Sequence, residues 1–241
     1  MVQAPSSSDQ SKVGNRILDA LSFEARAILR PHFETIPLTA NESIQEPGAP
    51  AKYSYFPVSG MISVLATMAD GGQIETGIAG NEGMFGVSTV LGDDAPSQKA
   101  IVQLAGSAIR IGSAQLRKAA DANAELRGLL MRYAQAMLVG AMQSAACNRL
   151  HLLEQRCARW LLTAHDRAGR DRFAMTHEYL ATMLGVRRAG VTVALQVYRD
   201  GGMITYNHGT MTVLDRAALE TSSCECYRFI KGEFERLLGG A

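Results

Sequence analysis

The chain has 241 residues, of which 47% are hydrophobic and 20% are charged, with 24 lysines and arginines against 23 aspartates and glutamates. This composition is typical of a globular protein with one large or two modest domains, and it excludes an intrinsically disordered chain. The net charge of +1 also excludes a strongly basic surface, so nucleic-acid binding would depend on local clusters of cations. No run approaches the ~20 apolar residues of a membrane span. The polar segment 1–15 lacks the apolar core of a signal peptide, so we expect a cytoplasmic protein with no membrane partner.

The first half of the chain predicts a short helical region followed by a β-rich domain. Apolar residues favour a helix over Ile17–Leu29, and Pro31 marks its end or a break. From Phe33 to Ile111, short apolar or alternating runs are separated by glycine, proline, asparagine and aspartate. Asp70-Gly71-Gly72 is a strong hairpin turn between two of these runs. Many short strands at this spacing favour an antiparallel sandwich or barrel over a doubly wound α/β domain.

The longest helical stretch runs from Ala114 to about Asn148. Apolar and small residues alternate steps of four and three along it, as on the buried stripe of a coiled coil. We therefore predict a dimerisation helix, with a helix packed along its own domain as the alternative. The predicted interface residues are Leu126, Leu130, Tyr133, Met137, Gly140 and Ser144. A separate amphipathic helix is predicted over His151–Ala168.

The segment Met175–Asp200 predicts two short helices joined by a tight turn. Thr176 is a good N-cap for the first helix, and Gly185 can adopt the left-handed conformation that ends it. Arg187 and Arg188 stand at the start of the second helix. This arrangement is typical of a helix-turn-helix, whose second helix enters the DNA major groove by its N-terminus. An ordinary corner between two helices with exposed arginines is the alternative.

A β-hairpin is predicted directly after this helix pair. Gly201-Gly202 ends the helix, and two β-prone runs, Met203–Tyr206 and Thr210–Leu214, flank the turn residues Asn207-His208-Gly209. Helix-turn-helix plus hairpin is a winged helix, which predicts DNA binding. All cations between Arg149 and Arg199 are arginines, the side chain suited to bidentate contacts with phosphate and guanine.

The fold prediction is therefore α+β: an N-terminal antiparallel β-roll, a long dimerisation helix and a C-terminal winged helix-turn-helix. The predicted boundaries are 13–113 for the β-domain with its N-terminal helices, 114–148 for the long helix, and 149–241 for the winged helix with a helical tail.

This architecture resembles the Crp/Fnr superfamily of bacterial transcription regulators over nearly the whole chain. The most specific motifs are Leu180-Ala181-x-Met183-Leu184-Gly185-Val186-x-Arg188-x-x-Val191-Thr192, Gly202-x-Ile204-x-Tyr206 and Leu214-Asp215-Arg216. The segments Cys147–Leu162 and Cys224-Glu225-Cys226-Tyr227 are similar to one proteobacterial branch. The resemblance implies a homodimer that reads a palindromic operator, with RNA polymerase and an unidentified small-molecule effector as further partners. It places an arginine that contacts guanine at Arg188. We assign DNA contacts to Thr176, Arg187, Arg188, Gly190, Thr192 and, in the hairpin turn, His208.

The chain departs from the cyclic-nucleotide binders of this family at both ligand-binding motifs. Phe85-Gly86 is followed by Val87 where those proteins have a glutamate for the ribose, and Ser97–Ala100 lacks their phosphate-binding arginine. Loss of both groups removes most of the expected affinity, although Lys99 could contact a phosphate as a point charge. We therefore predict another effector, in a pocket at Glu82, Phe85, Gly86 and Lys99. A cyclic-nucleotide-responsive regulator or binding module is the alternative.

The four cysteines, Cys147, Cys157, Cys224 and Cys226, are expected to be reduced in the cytoplasm. Cys147 and His151 lie four residues apart and could hold a metal or haem iron, but we interpret them as packing residues. The pair Cys224 and Cys226 has the same interpretation. An iron–sulfur sensor needs about four cysteine ligands, and no cysteine precedes Cys147. The sequence prediction thus includes no metal, no cofactor and no catalytic residue. An enzymatic cupin-like barrel is disfavoured because 33–111 contains no histidine.

Overall fold

The computed structural model describes residues 12–239, so most of the polar N-terminal segment on which the signal-peptide argument rested lies outside it. The described chain begins with two short helices, α1 (Arg16–Asp19) and α2 (Phe23–Leu29), followed by a 3-10 turn at Arg30–His32. Asn15 caps α1, and its side-chain amide donates to the carbonyl oxygens of Pro57 and Gly83, at 2.8 Å each. This buried asparagine fastens the N-terminal helices to the β-domain.

The β-domain is an antiparallel sheet in the order β1-β5-β3-β4, with β2 also paired to β5. Its strands are β1 (Glu34–Leu38), β2 (Ser43–Gln45), β3 (Tyr53–Thr67), β4 (Gln73–Ala79) and β5 (Lys99–Gly112). The predicted short runs merge into the long strands β3 and β5, whose pairing shifts register near Gly60 and Gly106. An added Cβ at Gly106 would lie 2.2 Å from the backbone oxygen of Ser59, so only glycine allows this close approach. The predicted turn at Asp70-Gly71-Gly72 connects β3 to β4.

Two helices, not one, occupy the long helical stretch. They are α3 (Ser113–Ala122) and α4 (Ala124–Leu150). The break is at Asn123, whose backbone is extended (φ −133°, ψ 109°) and whose side chain accepts a hydrogen bond from the N–H of Leu126 at 2.8 Å. An asparagine cap therefore starts a new helix within the stretch that was predicted as one helix.

The C-terminal part is a winged helix with a helical tail, which confirms the predicted α+β fold. A three-stranded sheet in the order β6-β8-β7 lies beside the helices. The elements are α5 (Leu153–Ala168), β6 (Arg172–Ala174), α6 (His177–Leu184), α7 (Arg188–Asp200), β7 (Ile204–Asn207), β8 (Thr210–Val213), α8 (Arg216–Ser222) and α9 (Cys226–Leu238). Apolar residues of α5, α6 and α7 form one core that also includes Met61, Leu65 and Leu104 of the first sheet. The two domains therefore share a hydrophobic core.

The tail helix α9 packs back along α4. The rings of Tyr133 and Phe234 meet edge to face, with centroids 6.1 Å apart. Gly140 faces Ile230 and Phe234, since an added Cβ there would lie 3.7 Å from each side chain. One face of α4 is therefore covered by the chain's own C-terminus.

The structure corrects the predicted dimer interface on α4. Leu126, Leu130 and Tyr133 are fully buried within the chain, and the Tyr133 hydroxyl donates to the carbonyl oxygen of Met84 at 2.7 Å. Met137 is half-buried against the same core. These side chains are covered by the β-domain and α9, so the apolar periodicity marked an intramolecular face.

The opposite face of α4 carries exposed apolar side chains. Leu138 is 54% exposed and Met142 62% exposed. Met131 is half-buried and Ala145 is exposed. These four residues are spaced seven, four and three apart, so they form one stripe along the outside of the helix; we call it the outer stripe.

Among residues 12–239, no helix is both long and apolar enough to cross a membrane.

Candidate nucleic-acid interface

The turn between α6 and α7 depends on Gly185. Its φ of +64° is left-handed. Its N–H donates to the carbonyl oxygen of Thr182, and the N–H of Val186 donates to that of Ala181, so that these two hydrogen bonds end α6. An added Cβ would lie 2.6 Å from Cδ1 of Ile74 in β4. Glycine is therefore required both by the backbone conformation and by the close contact with the β-domain.

The hairpin between β7 and β8 lies beside the start of α6. Thr176 caps α6 by accepting from the N–H of Tyr179 at 3.1 Å, and the N–H of Met175 donates to the carbonyl oxygen of Gly209 at 2.8 Å. His208 is exposed at the tip of this hairpin, with a left-handed φ of +45°. The wing and the first helix of the helix-turn-helix thus present one surface.

His177 joins the wing to the second helix. Its Nδ1 lies 2.9 Å from the hydroxyl of Thr192, which donates to the carbonyl oxygen of Arg188 at 3.1 Å. The single hydroxyl proton is used in that bond, so His177 Nδ1–H is the donor to Thr192. The imidazole ring lies 4.4 Å from the ring of Tyr206 in β7. Partial burial, together with the charge of Arg188, lowers the pKa of His177. The sequence did not reveal this positioning role, because the partners of His177 lie on two other elements, α7 and β7.

Arg187 and Arg188 are exposed at the N-terminus of α7. Neither guanidinium forms an ion pair with another residue of 12–239. Arg187 occupies the N-cap position without capping the helix through its side chain. Free N–H groups, the helix dipole and two arginines together favour anionic phosphate at this end of α7.

The outer face of α7 is only partly polar. Its exposed residues are Arg188, Ala189, Thr192, Val193, Gln196, Val197, Arg199 and Asp200. Val193 is 61% exposed and Val197 52% exposed. These valines were not among the predicted DNA contacts, although their four-residue spacing places them on the face opposite the buried Val191 and Leu195. Exposed valines could contact thymine methyl groups in a major groove.

The structure does not support the assignment of Gly190 to this surface. An added Cβ at Gly190 would lie 2.9 Å from Cδ2 of Leu153 in α5. The small residue therefore permits close packing of α7 on α5. Thr176, Arg187, Arg188, Thr192 and His208 are exposed.

A cavity of about 800 Å³ lies between the β-domain, α4, α5 and α9. Of the four predicted pocket residues, only Glu82 lines it. Phe85 is buried in the sheet and pairs with Tyr55, while Gly86 has a φ of +97° and packs on Ser54. Lys99 lies 3.4 Å from Glu46 in an ion pair. The predicted residues therefore do not form one pocket, because the cavity is built largely by helices that follow them in the chain.

Polar contacts across the cavity join the two domains. Glu82 pairs with Arg167 of α5 at 2.6 Å. The indole N–H of Trp160 donates to Glu75 of β4 at 2.8 Å, and burial raises the pKa of Glu75 to about 7. Arg159 also lines the cavity, and its buried Nε has no hydrogen-bond partner within residues 12–239.

Three of the cysteines and one histidine come together away from this surface. Cys147, His151, Cys224 and Cys226 place their ligand atoms within 4.8 Å of one another. The sequence interpretation treated the two pairs as separate packing residues; the return of α9 along α4 unites them.

Comparisons with known proteins agree with this architecture. Residues 35–123 match the cyclic nucleotide-binding domain, and residues 155–222 match the Crp-like helix-turn-helix domain. No curated protein sequence gives a significant match. The fold is similar to FixK2 from Bradyrhizobium japonicum, with a TM-score of 0.68 and 19% identity over 80% of this chain and 98% of that one.

Two further solved structures share the fold. A Crp/Fnr-family transcriptional regulator from Thermus thermophilus has a TM-score of 0.62 and 20% identity, over 79% of this chain and 98% of its own. The c-di-GMP-responsive regulator CLP from Xanthomonas campestris has a TM-score of 0.64 and 15% identity, over 80% of this chain and 99% of that one. Together the two matched domains, in this order and with the helices that join them, show that the chain belongs to the Crp/Fnr superfamily of transcription regulators.

Proposed function

We propose that this chain binds double-stranded DNA as a homodimer at a palindromic operator and regulates transcription there, with no catalytic step of its own. The observation that carries the proposal is that Arg187 and Arg188 are exposed at the N-terminus of α7, beside the wing, and form no ion pair within residues 12–239. This is the end of a recognition helix that enters the major groove. Arg188 is the residue proposed to contact a guanine, with Arg187, Thr176, Thr192 and His208 on phosphates or neighbouring bases. The role implies a cytoplasmic protein that acts with RNA polymerase.

The outer stripe of α4 supports the homodimer. A soluble protein exposes few contiguous apolar patches without a partner, and Leu138 and Met142 are both more than half exposed. In a two-fold dimer the same stripe from each copy would meet along parallel helices, and the two α7 helices would then reach successive major grooves. We therefore assign the dimer surface to the outer stripe instead of the buried face.

The cavity between the domains is the proposed effector site. The cavity contacts both domains. A ligand that binds more tightly to one arrangement of the two domains than to another would therefore shift the protein toward that arrangement. The unsatisfied Nε of Arg159 favours an effector with an anionic or hydrogen-bond-accepting group. Val87 and Gln98 line the cavity. The Val87 side chain has no acceptor for a ribose hydroxyl, and Gln98 has no charged donor for a phosphate, which favours a ligand other than a cyclic nucleotide. The relative CLP is described as c-di-GMP-responsive, so cyclic dinucleotides belong in the same ligand screen as cAMP and cGMP.

Selection of binding sites from random DNA duplexes by the purified full-length protein tests the main proposal. Enrichment of a palindrome with half-sites about one helical turn apart is the expected result. The selection is run without ligand and again with each ligand that shifts the melting temperature. Failure to enrich any sequence under all these conditions would overturn the DNA-binding role. A shift in melting temperature with cAMP or cGMP would instead support the cyclic-nucleotide alternative.

A further inference from the structure

The cysteine–histidine cluster lies where two segments of the chain meet. Cys147 is in the last turn of α4, and His151 directly follows that helix. Cys224 lies between α8 and α9, and Cys226 is the first residue of α9. All three cysteines are buried, whereas the His151 side chain remains 19% exposed and so leaves a route from solvent. The cluster therefore joins the end of the long helix to the start of the tail helix.

Two distances within the cluster are close to those of a tetrahedral metal site, and all four ligand atoms lie within 4.8 Å of one another. The sulfur atoms of Cys147 and Cys224 are 3.5 Å apart, and Cys226 Sγ lies 3.6 Å from His151 Nδ1. A tetrahedral ion with metal–sulfur bonds of about 2.3 Å and metal–nitrogen bonds of about 2.0 Å holds its sulfurs about 3.8 Å apart and sulfur and nitrogen about 3.5 Å apart. A disulfide would require about 2.05 Å between two sulfurs, and it would leave the third thiol and the imidazole without a role.

Groups around the cluster orient its ligands. His151 Nε2 lies 3.3 Å from a carboxylate oxygen of Glu225, which favours a proton on Nε2 and leaves Nδ1 free to face the sulfurs. The side-chain amide of Gln143 donates to Cys226 Sγ at 3.1 Å. A histidine held by a carboxylate on its far nitrogen, and a thiolate that accepts an N–H bond, are the outer contacts expected around a bound metal ion.

The charge balance also fits three thiolates and a divalent ion, which together carry a net charge of −1. The positive charge of Arg159 acts on Cys147. Arg156 is near enough for its charge to interact with Cys147 and Cys224. Two arginines therefore surround a site that would otherwise bury uncompensated negative charge.

We propose that Cys147, His151, Cys224 and Cys226 bind one metal ion per chain, and that the ion is Zn²⁺. Three thiolates and one imidazole select a soft, tetrahedral ion over Mg²⁺ or Ca²⁺. Four protein ligands leave no open position, so the site is structural and not catalytic. The bound ion would fasten α9 to the end of α4, next to the connection from which α5 and the DNA-binding elements begin. This last consequence rests on the proposed function, whereas metal binding does not.

Metal analysis and a Co²⁺ titration of the full-length protein test the proposal. The protein is purified under reducing conditions, stripped with a chelator, and titrated with Co²⁺ as a spectroscopic probe for Zn²⁺. We expect about one equivalent per chain, tetrahedral d–d bands, a thiolate-to-cobalt charge-transfer band, and displacement of Co²⁺ by Zn²⁺. Octahedral spectra or no saturable binding in the wild-type protein would overturn the proposal, and neither readout requires DNA binding.

Three variants then locate the site. Cys226→Ser removes one ligand and should weaken Zn²⁺ binding by at least ~100-fold, because loss of a ligand lowers metal affinity more than loss of a residue that only orients a ligand. Glu225→Gln should weaken it by about tenfold through the loss of the orienting carboxylate. Cys157→Ala is the matched control, because this buried cysteine lies outside the cluster, and it should bind Zn²⁺ like the wild type. Equal affinity of the Cys226→Ser and wild-type proteins, or loss of binding in Cys157→Ala alone, would place the metal elsewhere and refute the assignment.

Discussion

Glu82 and Arg167 form an ion pair between the β-domain and α5. Oε1 of Glu82 accepts from Nε of Arg167 at 3.0 Å and from Nη2 at 2.6 Å, and the two side chains are only 12% and 13% exposed. Arg167 also donates to the carbonyl oxygen of Thr163. Because both residues line the cavity, a ligand there would lie against the contact that joins the β-domain to the winged helix.

Loss of the charge on Glu82 should destabilise the protein substantially. In the variant Glu82→Gln, the buried guanidinium of Arg167 keeps its charge without a counter-ion, so we expect the free energy of unfolding to fall by about 2–3 kcal/mol. Chemical denaturation measures the change. The control is Glu34→Gln, whose pair with Arg110 is more exposed at 55% and 28% and should lower the free energy of unfolding much less than Glu82→Gln does. Equal effects of the two substitutions would contradict the importance of the interdomain pair.

Glu75 should make the stability depend on pH. Its pKa rises from 4.5 to about 7, mainly through burial, although hydrogen bonds from Ser63 and Trp160 oppose the rise. The folded protein therefore holds a proton that the unfolded chain releases, and the stabilisation present below pH 4.5 is lost as the pH rises through about 7.

The variant Glu75→Gln, which mimics the protonated acid, should remove this dependence. We expect its free energy of unfolding at pH 8 to exceed that of the wild type by about 1–2 kcal/mol. This difference is smaller than the full pKa shift implies, because the Glu75 side chain is only half-buried and solvent screens its charge. The two proteins should converge near pH 4.5. Denaturation curves at several pH values provide the measurement, and a constant difference between the proteins at every pH would show that Glu75 is not the titrating group.

Arg188 should discriminate between bases, whereas Arg199 should not. Replacement of Arg188 by alanine removes one proposed guanine contact per half-site, so we expect a loss of about 1–3 kcal/mol per half-site and relaxed specificity at one position. The matched control Arg199→Ala changes an exposed arginine at the other end of the same helix, which pairs with Gln196 and Asp200. Binding-site selection and titration at fixed salt distinguish the two variants. An unchanged base preference in Arg188→Ala would exclude the proposed contact.

The outer stripe should hold the dimer together. A glutamate at Met142 would place a charge in the proposed two-fold contact, where it would face its own copy, and we expect Met142→Glu to be monomeric at micromolar concentration and to lose operator affinity. Met68→Glu is the control, since Met68 is 53% exposed in the β-domain, close to the 62% of Met142. Sedimentation equilibrium measures the mass. A Met142→Glu protein that remains dimeric would exclude the outer stripe as the interface.

The amino-acid sequence alone determined the local elements and their order. Thr176, Gly185 and the apolar face of α7 define a helix-turn-helix because caps, turn glycines and a 3.6-residue period act within a few residues of one another. The turns at Asp70-Gly71-Gly72 and Asn207-His208-Gly209 define hairpins for the same reason. Asn123 shows the limit, since its cap divides into two helices a stretch that was predicted as one.

Only the tertiary structure decided which surfaces meet. The apolar period of α4 reveals that Leu126, Leu130 and Tyr133 are buried, but a periodicity does not identify the covering partner, which proved to be the chain's own β-domain and α9. Cys147 and Cys224 are 77 residues apart in sequence and 3.5 Å apart in space. Their meeting depends on the path of the whole chain between them, as does the pairing of Glu82 with Arg167. Contacts of this kind arise from the packing of complete elements, and no local propensity encodes them.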